Sequence, residues 1–340
     1  FGTLSLALLY YMNFRYGYSL PAPVADRSLH EVRERDYFFI VSFSVWGLWA
    51  GMGIATLWRE AAHEMRVSLK VASPILGLAL IPLIMNFSWA SRAQDYSARD
   101  WAHNLLMSVE PYGVLFTNGD NDTFPLWYIQ EVEGVRRDVT VIVTSYLNTD
   151  WYTKQLKRLT EPCAEGVDPA SDWTRIQCQR PYTSENTSAA YVTDASQAPG
   201  KIPLIMRAPM IVPTKSIMPL TDEQIDQVSG NYVRIDGDRR IDLGNVSAIL
   251  RDGQTLSPWH QFALSLINQV IDERPIYFAS SGNAAASLGL SDHLVRQGLA
   301  FRLYNGPLED EGADGILAMQ PSPYESVIGD WLDVPRTQML

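Results

Sequence analysis

The sequence is poor in the residues and motifs that carry most recognisable chemistry. It has two cysteines and five histidines in 340 residues, and the histidines are scattered without metal-ligand spacing. Because no histidine lies near the cysteines, a zinc site is not expected. The sequence also lacks the Gly-x-Ser-x-Gly, P-loop and dinucleotide-binding fingerprints. It therefore contains no strong catalytic motif.

Positive charge is scarce as well. The chain has 27 Lys and Arg against 38 Asp and Glu, which gives a net charge of −11. A nucleic-acid-binding protein needs a basic patch to neutralise phosphates, so this composition argues against nucleic acid as a partner. The imbalance is confined to one part of the chain. Residues 1–90 carry 7 basic and 6 acidic residues, whereas residues 91–340 carry 20 and 32. Residues 1–90 are thus nearly neutral and hydrophobic, whereas residues 91–340 are acidic and have the composition of a globular domain.

Two long runs without a charged residue predict transmembrane helices. They cover residues 38–58 and 71–90, with 21 and 20 residues. As helices, each would be about 30 Å long, which matches the hydrocarbon core of a bilayer. Trp58 and Trp89 lie at the ends of these runs, where aromatic rings reach the headgroups. A third uncharged stretch, over 1–14, predicts the end of a further helix that begins upstream. Residues 1–90 are therefore expected to be membrane-embedded.

A pair of glycines in the first long run predicts close helix packing. Gly47 and Gly51 form a Gly-x-x-x-Gly pair, and small residues at this spacing let another helix approach closely. The neighbouring helix belongs either to this chain, which we favour, or to a partner protein.

The two cysteines indicate where the acidic part is located. Cys163 and Cys178 are 15 positions apart, a separation that suits a disulfide closing a surface loop. Such a bond contributes about 3 kcal/mol by chain entropy and requires an oxidising compartment. Two buried thiols are the alternative. The disulfide hypothesis places residues 91–340 in the periplasm, anchored to a bacterial inner membrane.

Short apolar runs in the acidic part predict buried strands that alternate with helices. The predicted strands are 114–117, 139–144, 275–279 and 299–304, and the predicted helices are 97–109, 125–133, 150–156, 258–272 and 291–297. Strands that alternate with helices are typical of βαβ units. We therefore predict a membrane-anchored α/β fold with a mostly parallel sheet. Residues 161–220 have weak periodicity and predict an insertion.

Polar residues follow the first two predicted strands. Asn118, Asp120 and Asp122 follow the first strand, and Asn148 and Asp150 follow the second. If the strands are parallel neighbours, these oxygens converge at the carboxyl edge of the sheet, where α/β proteins bind ligands. They would suit Ca²⁺ or Mg²⁺ at Asp120 and Asp122, or the hydroxyls of a sugar. In the alternative, which we favour, the same residues cap helices and form Asx turns.

Three strings of residues carry a family resemblance. They are GDNDTFPLWY at 119–128, QEVEGV at 130–135 and LNTDWY at 147–152. In these strings the chain resembles an uncharacterised family of bacterial membrane proteins related to the transmembrane protein O-mannosyltransferases, which are C-fold glycosyltransferases. The resemblance implies a C-terminal extracytoplasmic domain and a lipid-linked sugar as donor. Such enzymes carry their catalytic acid in the first extracytoplasmic loop, so no residue of this chain inherits that role.

Two functional hypotheses follow. In the favoured one, the chain is a non-catalytic accessory subunit of a larger bacterial membrane complex, with other membrane proteins as partners. A photosynthetic reaction-centre–antenna assembly is one candidate host, although no residue argues for it. In the alternative, the chain belongs to a membrane O-mannosyltransferase-like glycosyltransferase whose soluble domain binds the acceptor or a glycan.

Overall fold

The structure is a computed structural model. It describes residues 2–11, 36–110, 112–161, 191–192, 202–203, 213, 215–280, 283–306, 319–321 and 331–333. The chain divides into two compact units, Phe1–Gln94 and Asp95–Leu340, here named the helical unit and the α/β unit. Cys163 and Cys178, with their predicted disulfide, lie outside the described residues, as does most of the predicted insertion.

The helical unit contains α1 (Gly2–Tyr11), α2 (Ile40–Glu64) and α3 (Ile81–Ala90). A short 3-10 helix, Asp36–Phe39, precedes α2. With 25 residues, α2 is about 37 Å long and is long and apolar enough to cross a membrane. An α-helix is thus present over 40–58 of the segment predicted at 38–58, and it continues six residues further.

The second predicted membrane helix differs from the expectation. Residues 71–90 form a 3-10 helix, Ser73–Leu80, followed by α3, rather than one continuous α-helix. Pro74 and Pro82 lie in the first turn of these two segments. Proline lacks the N–H that a helix interior requires, so each proline begins a new segment. Within the described residues, the structure therefore shows one candidate membrane span instead of two.

The α/β unit alternates helices and strands in its first part, and runs of consecutive strands follow. Its elements are α4 (Ser97–Met107), β1 (Val114–Thr117), α5 (Asp120–Val132), β2 (Thr140–Val143), α6 (Asp150–Leu159), β3 (Tyr191–Val192), β4 (Ile202–Pro203), α7 (Asp222–Val228), β5 (Val233–Arg234), β6 (Arg239–Leu243), β7 (Val246–Leu250), β8 (Thr255–Leu256), α8 (Pro258–Val270), β9 (Ile276–Ala279), α9 (Ala284–Ser287), β10 (Leu294–Gln297), β11 (Ala300–Leu303), β12 (Met319–Pro321) and β13 (Trp331–Asp333). All four predicted strands are present, as β1, β2, β9 and β11. The helix predicted over 291–297 is wrong, because a 3-10 turn, Ser291–His293, leads into strand β10 there.

Seven strands form one mixed sheet in the order β12-β13-β10-β11-β9-β1-β2. The three strands β2, β1 and β9 are parallel, whereas β11 is antiparallel to both β9 and β10. The prediction of a mostly parallel sheet is therefore correct for one part of the sheet and wrong for the other. The physical reason is the two-residue connection between β10 and β11, in which Gly298 has φ +58°. So short a connection joins antiparallel strands only.

Helices pack on both faces of the parallel part of the sheet, and two of them lie beside the edge formed by β2. Leu115 and Phe116 are adjacent in β1 and belong to different core clusters, as expected for side chains that alternate across a sheet. On the Leu115 face, α4 and α5 pack against the strands. On the Phe116 face, α6 and α8 do so. Among the described strands, β2 is the last of the sheet. Its edge that pairs with no described strand, here named the open edge, lies between α5 on one face and α6 on the other.

A buried ion pair organises the start of β2. The guanidinium of Arg136, which is 0% exposed, donates from Nε and Nη2 to the two carboxylate oxygens of Asp138, both at 2.9 Å. Its Nη1 donates to the carbonyls of Leu106 and Val109 at 2.8 and 2.7 Å, which closes the end of α4. Asp138 Oδ2 also accepts from the backbone N–H of Tyr112 at 3.0 Å. The pair thus joins α4 to the residues before β1 and β2.

A second buried guanidinium extends this network to β9. Arg274 donates from Nε to the carbonyl of Tyr112 at 2.6 Å and from Nη2 to Thr140 Oγ1 at 2.8 Å. Burial lowers the pKa of Arg274 to about 10, so the side chain remains a cation at neutral pH. The amino ends of the three parallel strands are therefore held together by two buried arginines.

We expect Arg136→Met to lower the free energy of unfolding of the α/β unit by about 3–5 kcal/mol, because it leaves Asp138 buried without its partner. Arg240→Met is the control, since the Arg240–Asp242 pair is mostly exposed and its loss costs about 1 kcal/mol or less. Denaturant unfolding of the full chain in detergent, followed by near-UV circular dichroism, measures both effects. Equal unfolding midpoints for the two variants would contradict the assignment.

Candidate functional site

The polar residues predicted after β1 do not have equal surroundings. Asp122 is buried in the first turn of α5, and its carboxylate accepts from the backbone N–H groups of Asn118 and Gly119, both at 2.8 Å. Asn118 and Asp120 are exposed. Because Asp122 caps the helix, α5 begins five residues earlier than predicted, and Pro125 lies inside it. For Asp122, the structure shows the capping arrangement.

The polar residues predicted after β2 also have structural partners. Asn148 donates from Nδ2 to the carbonyl of Ser145 at 3.1 Å, and its Oδ1 accepts from the N–H of Trp259 at 3.3 Å, at the start of α8. Asp150 is the first residue of α6, and Thr149, rather than Asp150, is the cap residue. The Asp150 carboxylate lies 3.8 Å from Lys154 Nζ.

The structure does not test the predicted cation. In the described part of the chain, no group of three or more His, Cys, Asp or Glu side chains is placed to hold a metal ion. The carboxylate of Asp122 is engaged by backbone N–H groups, and Asp120 is exposed. Binding of Ca²⁺ or Mg²⁺ at Asp120 and Asp122 therefore stays a prediction.

The two glycines of α2 lie on an open surface. A Cβ atom built at Gly47 or Gly51 has nothing within 4 Å among the described residues. The favoured expectation, contact with another helix of this chain, is not observed in that part of the structure. An approaching helix from another chain is compatible with this surface.

The α/β unit contains an aromatic pocket at the open edge of the sheet. Its volume is about 620 Å³. The aromatic pocket is lined by Trp127 and Gln130 from α5, Val141 from β2, Tyr146 from the 3-10 helix Tyr146–Asn148, and Trp151 and Tyr152 from α6. Glu131 and Gln155 also line it and are exposed. Both the size and the mainly apolar lining with a few polar groups are typical of ligand-binding pockets.

The rings of the aromatic pocket form a continuous chain. The ring centres of Trp127 and Tyr146 are 6.5 Å apart, those of Tyr146 and Trp151 are 6.0 Å apart, and those of Tyr146 and Tyr152 are 5.6 Å apart. Tyr152 is buried, whereas Trp151 is 53% exposed and Tyr146 is half-buried. A large aromatic ring held at the surface by its neighbours offers a stacking face to a ligand.

Polar groups of the pocket also hold the edge strand. Gln130 donates both hydrogens of its amide nitrogen, to the carbonyls of Arg136 and Val139 at 2.8 Å each. The hydroxyl oxygen of Tyr152 accepts from the N–H of Val143 at 3.0 Å. Burial raises the pKa of Tyr152 well above its ordinary value, so the phenol stays neutral.

Sequence reasoning did not name the aromatic pocket. The strings at 119–128 and 147–152 carry the family resemblance, but residue order alone does not show that their rings meet in one pocket. The available signal was the density of rings that directly follow two neighbouring strands. These rings are Phe124, Trp127, Tyr128, Tyr146, Trp151 and Tyr152.

The chain thus combines an α/β unit that contains an aromatic pocket with a preceding apolar helix of membrane-spanning length, features that fit a membrane-associated protein. The family model described as TMEM260-associated domain 2 matches residues 98–317, which is more than half of the chain. The chain belongs to this family.

A curated relative is similar to this chain over a shorter stretch. The mouse protein named "Protein O-mannosyl-transferase TMEM260" is 26% identical over 125 residues. The match covers 36% of this chain and 18% of the mouse protein, so the aligned region is a small part of that relative. No solved structure matches the chain. The family relation supports the predicted relationship to O-mannosyltransferases and the association with a membrane.

We expect Asp122→Ala to destabilise the α/β unit by about 1–2 kcal/mol, since two backbone N–H groups lose their acceptor. Asp120→Ala, at an exposed position two residues away, should change stability by about 0.5 kcal/mol or less.

Thermal unfolding measures both variants, with and without Ca²⁺ or Mg²⁺. If the loop binds a cation, added metal raises the unfolding temperature of the unaltered chain and not that of Asp122→Ala. An unchanged temperature would refute the cation site.

If α2 packs against a partner helix through its glycines, the double variant Gly47→Leu, Gly51→Leu should weaken that association without unfolding the chain. Gly53→Leu is a matched control, because it makes the same change about 200° around the same helix. Cross-linking in native membranes measures association. Equal cross-linking of the double variant and the control would rule out this glycine face.

Proposed function

We propose that the chain is part of a membrane-bound, O-mannosyltransferase-like glycosyltransferase, and that its α/β unit recognises the glycan or the acceptor. The observation that carries this proposal is the aromatic pocket at the open edge of the sheet. Its exposed ring, Trp151, and its polar rim, Glu131 and Gln155, combine stacking with hydrogen bonding. Sugars require this combination, since a pyranose ring has apolar C–H groups and hydroxyls on the same small body.

Family membership supports the proposal. The printed name of the mouse relative assigns protein O-mannosyl transfer to that protein, of which the match covers 18%. For the present chain, the transfer activity, the lipid-linked donor and the protein acceptor are proposals. We assign no catalytic residue in this chain, because the resemblance transfers no catalytic role to any of its positions.

The proposed location follows from the chemistry of the donor and from the sequence. A lipid-linked sugar is presented at a membrane, and α2 supplies one helix able to cross it. We propose that the α/β unit lies on the extracytoplasmic side, in the periplasm of a bacterial cell. The predicted disulfide between Cys163 and Cys178 supports this orientation.

The accessory-subunit hypothesis stays a prediction. None of the described contacts favours a photosynthetic host, and the open surface at Gly47 and Gly51 is compatible with any membrane partner. The glycine variants described above test this hypothesis separately from the recognition proposal.

We expect Trp151→Ala, in cells whose sole copy of the full-length protein carries it, to reduce protein-linked mannose at least about fivefold. Removal of the exposed ring removes about 1 kcal/mol of stacking without opening the core. Tyr232→Ala is the control, because Tyr232 is 65% exposed and does not line the pocket. Mass-spectrometric glycan profiling of membrane and secreted proteins measures the effect. A normal profile in the Trp151 variant would contradict the proposed function.

A further inference from the structure

We propose that the aromatic pocket is a pyranoside-binding subsite, in which a sugar ring stacks on Trp151 while its hydroxyls bond to the backbone of Val141 and to the side chains of Gln130 and Tyr152. This inference rests on the proposed function and deepens it. It assigns the pocket to a sugar rather than to a segment of the acceptor polypeptide.

The first argument is the orientation of the Val141 backbone. Thr140 donates its N–H to the carbonyl of Gly113, and Thr144 donates its N–H to the carbonyl of Thr117. The backbone groups of the even-numbered residues of β2 therefore point toward β1. In a parallel ladder, successive residues point to opposite sides, so the N–H and C=O of Val141 point to the open edge. No hydrogen bond reaches this pair from the residues that the structure describes.

Val141 is 4% exposed, and its unpaired backbone is therefore costly unless a ligand or water supplies partners. The N–H of Val141 is a donor and its C=O is an acceptor, and both groups belong to the same residue. Two neighbouring hydroxyls of a sugar match it, because one accepts from the N–H and the other donates to the C=O.

The second argument comes from the two side chains beside Val141. Gln130 is 5% exposed, and both hydrogens of its amide nitrogen are engaged, which leaves Oε1 as an acceptor in the pocket lining. The oxygen of Tyr152 accepts from Val143, so its own hydrogen remains available to donate. The floor of the pocket thus offers two donors and two acceptors next to the aromatic rings.

The third argument excludes an extended peptide. A peptide that pairs with an edge strand uses the outward N–H and C=O groups of alternate residues, here 139, 141 and 143. The carbonyl of Val139 is covered by Gln130, and the N–H of Val143 is covered by Tyr152. Side chains that cover an edge in this way block strand addition. Only the backbone groups of Val141 remain accessible between these two side chains, and a small polyol is short enough to bind them.

The test measures binding of methyl α-mannopyranoside to the detergent-solubilised full chain, by saturation-transfer NMR and by titration of Trp fluorescence. We expect saturable binding that Trp151→Ala weakens at least about fivefold. Tyr152→Phe should weaken it by about two- to tenfold, because one hydrogen bond is lost. Tyr232→Ala should bind like the unaltered chain. Near-UV circular dichroism verifies that each variant is folded. Because Trp151 is mostly exposed, we expect Trp151→Ala to fold, so this variant decides the result even if Tyr152→Phe is unstable.

Absence of saturable pyranoside binding would overturn the inference, and so would binding that is insensitive to Trp151→Ala. A second result would also overturn the inference: the chain binds an acetylated and amidated Thr-Val repeat hexapeptide but no pyranoside, and Trp151→Ala abolishes the peptide binding. In that case the proposed function would survive with the acceptor polypeptide as the ligand. Conversely, pyranoside binding together with a normal glycan profile in Trp151→Ala cells would uphold the subsite and reject the proposed function.

Discussion

The α/β unit depends on the buried ion pair between Arg136 and Asp138. Transfer of two charges from water to the interior is costly, and a buried pair persists where additional hydrogen bonds offset that cost. Here the guanidinium donates to two backbone carbonyls as well as to the carboxylate, and the carboxylate accepts a backbone N–H. Arg136 and Tyr112 also have φ values of +52° and +57°, in the left-handed region. The network holds these two strained residues in place.

The same turn connects this network to the aromatic pocket. The carbonyl of Arg136 accepts from Gln130, and so does the carbonyl of Val139 immediately before β2. The buried pair therefore fixes the backbone that orients the amide of Gln130 in the pocket. At the other end of β2, Tyr152 bonds to Val143 and holds α6 against the edge. The floor of the pocket is thus built on rigid elements, a condition for hydrogen bonding to a small ligand without a large ordering cost.

Sequence patterns predicted the parts of this unit that depend on local chemistry. The β-branched run at 139–144 and the apolar run at 114–117 form buried parallel strands, because continuous apolar runs require burial on both faces. The strand formed by the first run, β2, is nonetheless the last described strand of the sheet. The Arg-Arg-Asp string at 136–138 has the composition of a solvated loop, and its burial follows from the carbonyls of α4, which are distant in sequence. The capping role of Asp122 is one of the two alternatives that the sequence leaves open. The sequence does not predict the pocket, because the rings of the pocket come from two strings that meet only through the pairing of β1 with β2.

If the chain has the proposed function, the charge around the pocket bears on which sugar the pocket can bind. A lipid-linked sugar donor carries phosphate, and phosphate sites in proteins use Arg, Lys or clustered backbone N–H groups. The residues that line the aromatic pocket include no basic side chain, and the carboxylate of its one acidic residue, Glu131, lies 3.5 Å from the guanidinium of Arg137. Residues 91–340, with 20 basic and 32 acidic residues, repel anions further. A neutral glycan is unaffected by this field, whereas the phosphate of a donor is disfavoured. Under the proposed function, the pocket is therefore suited to a sugar already attached to the acceptor, or to a released glycan, and we expect the phosphate of the donor to bind at a different site.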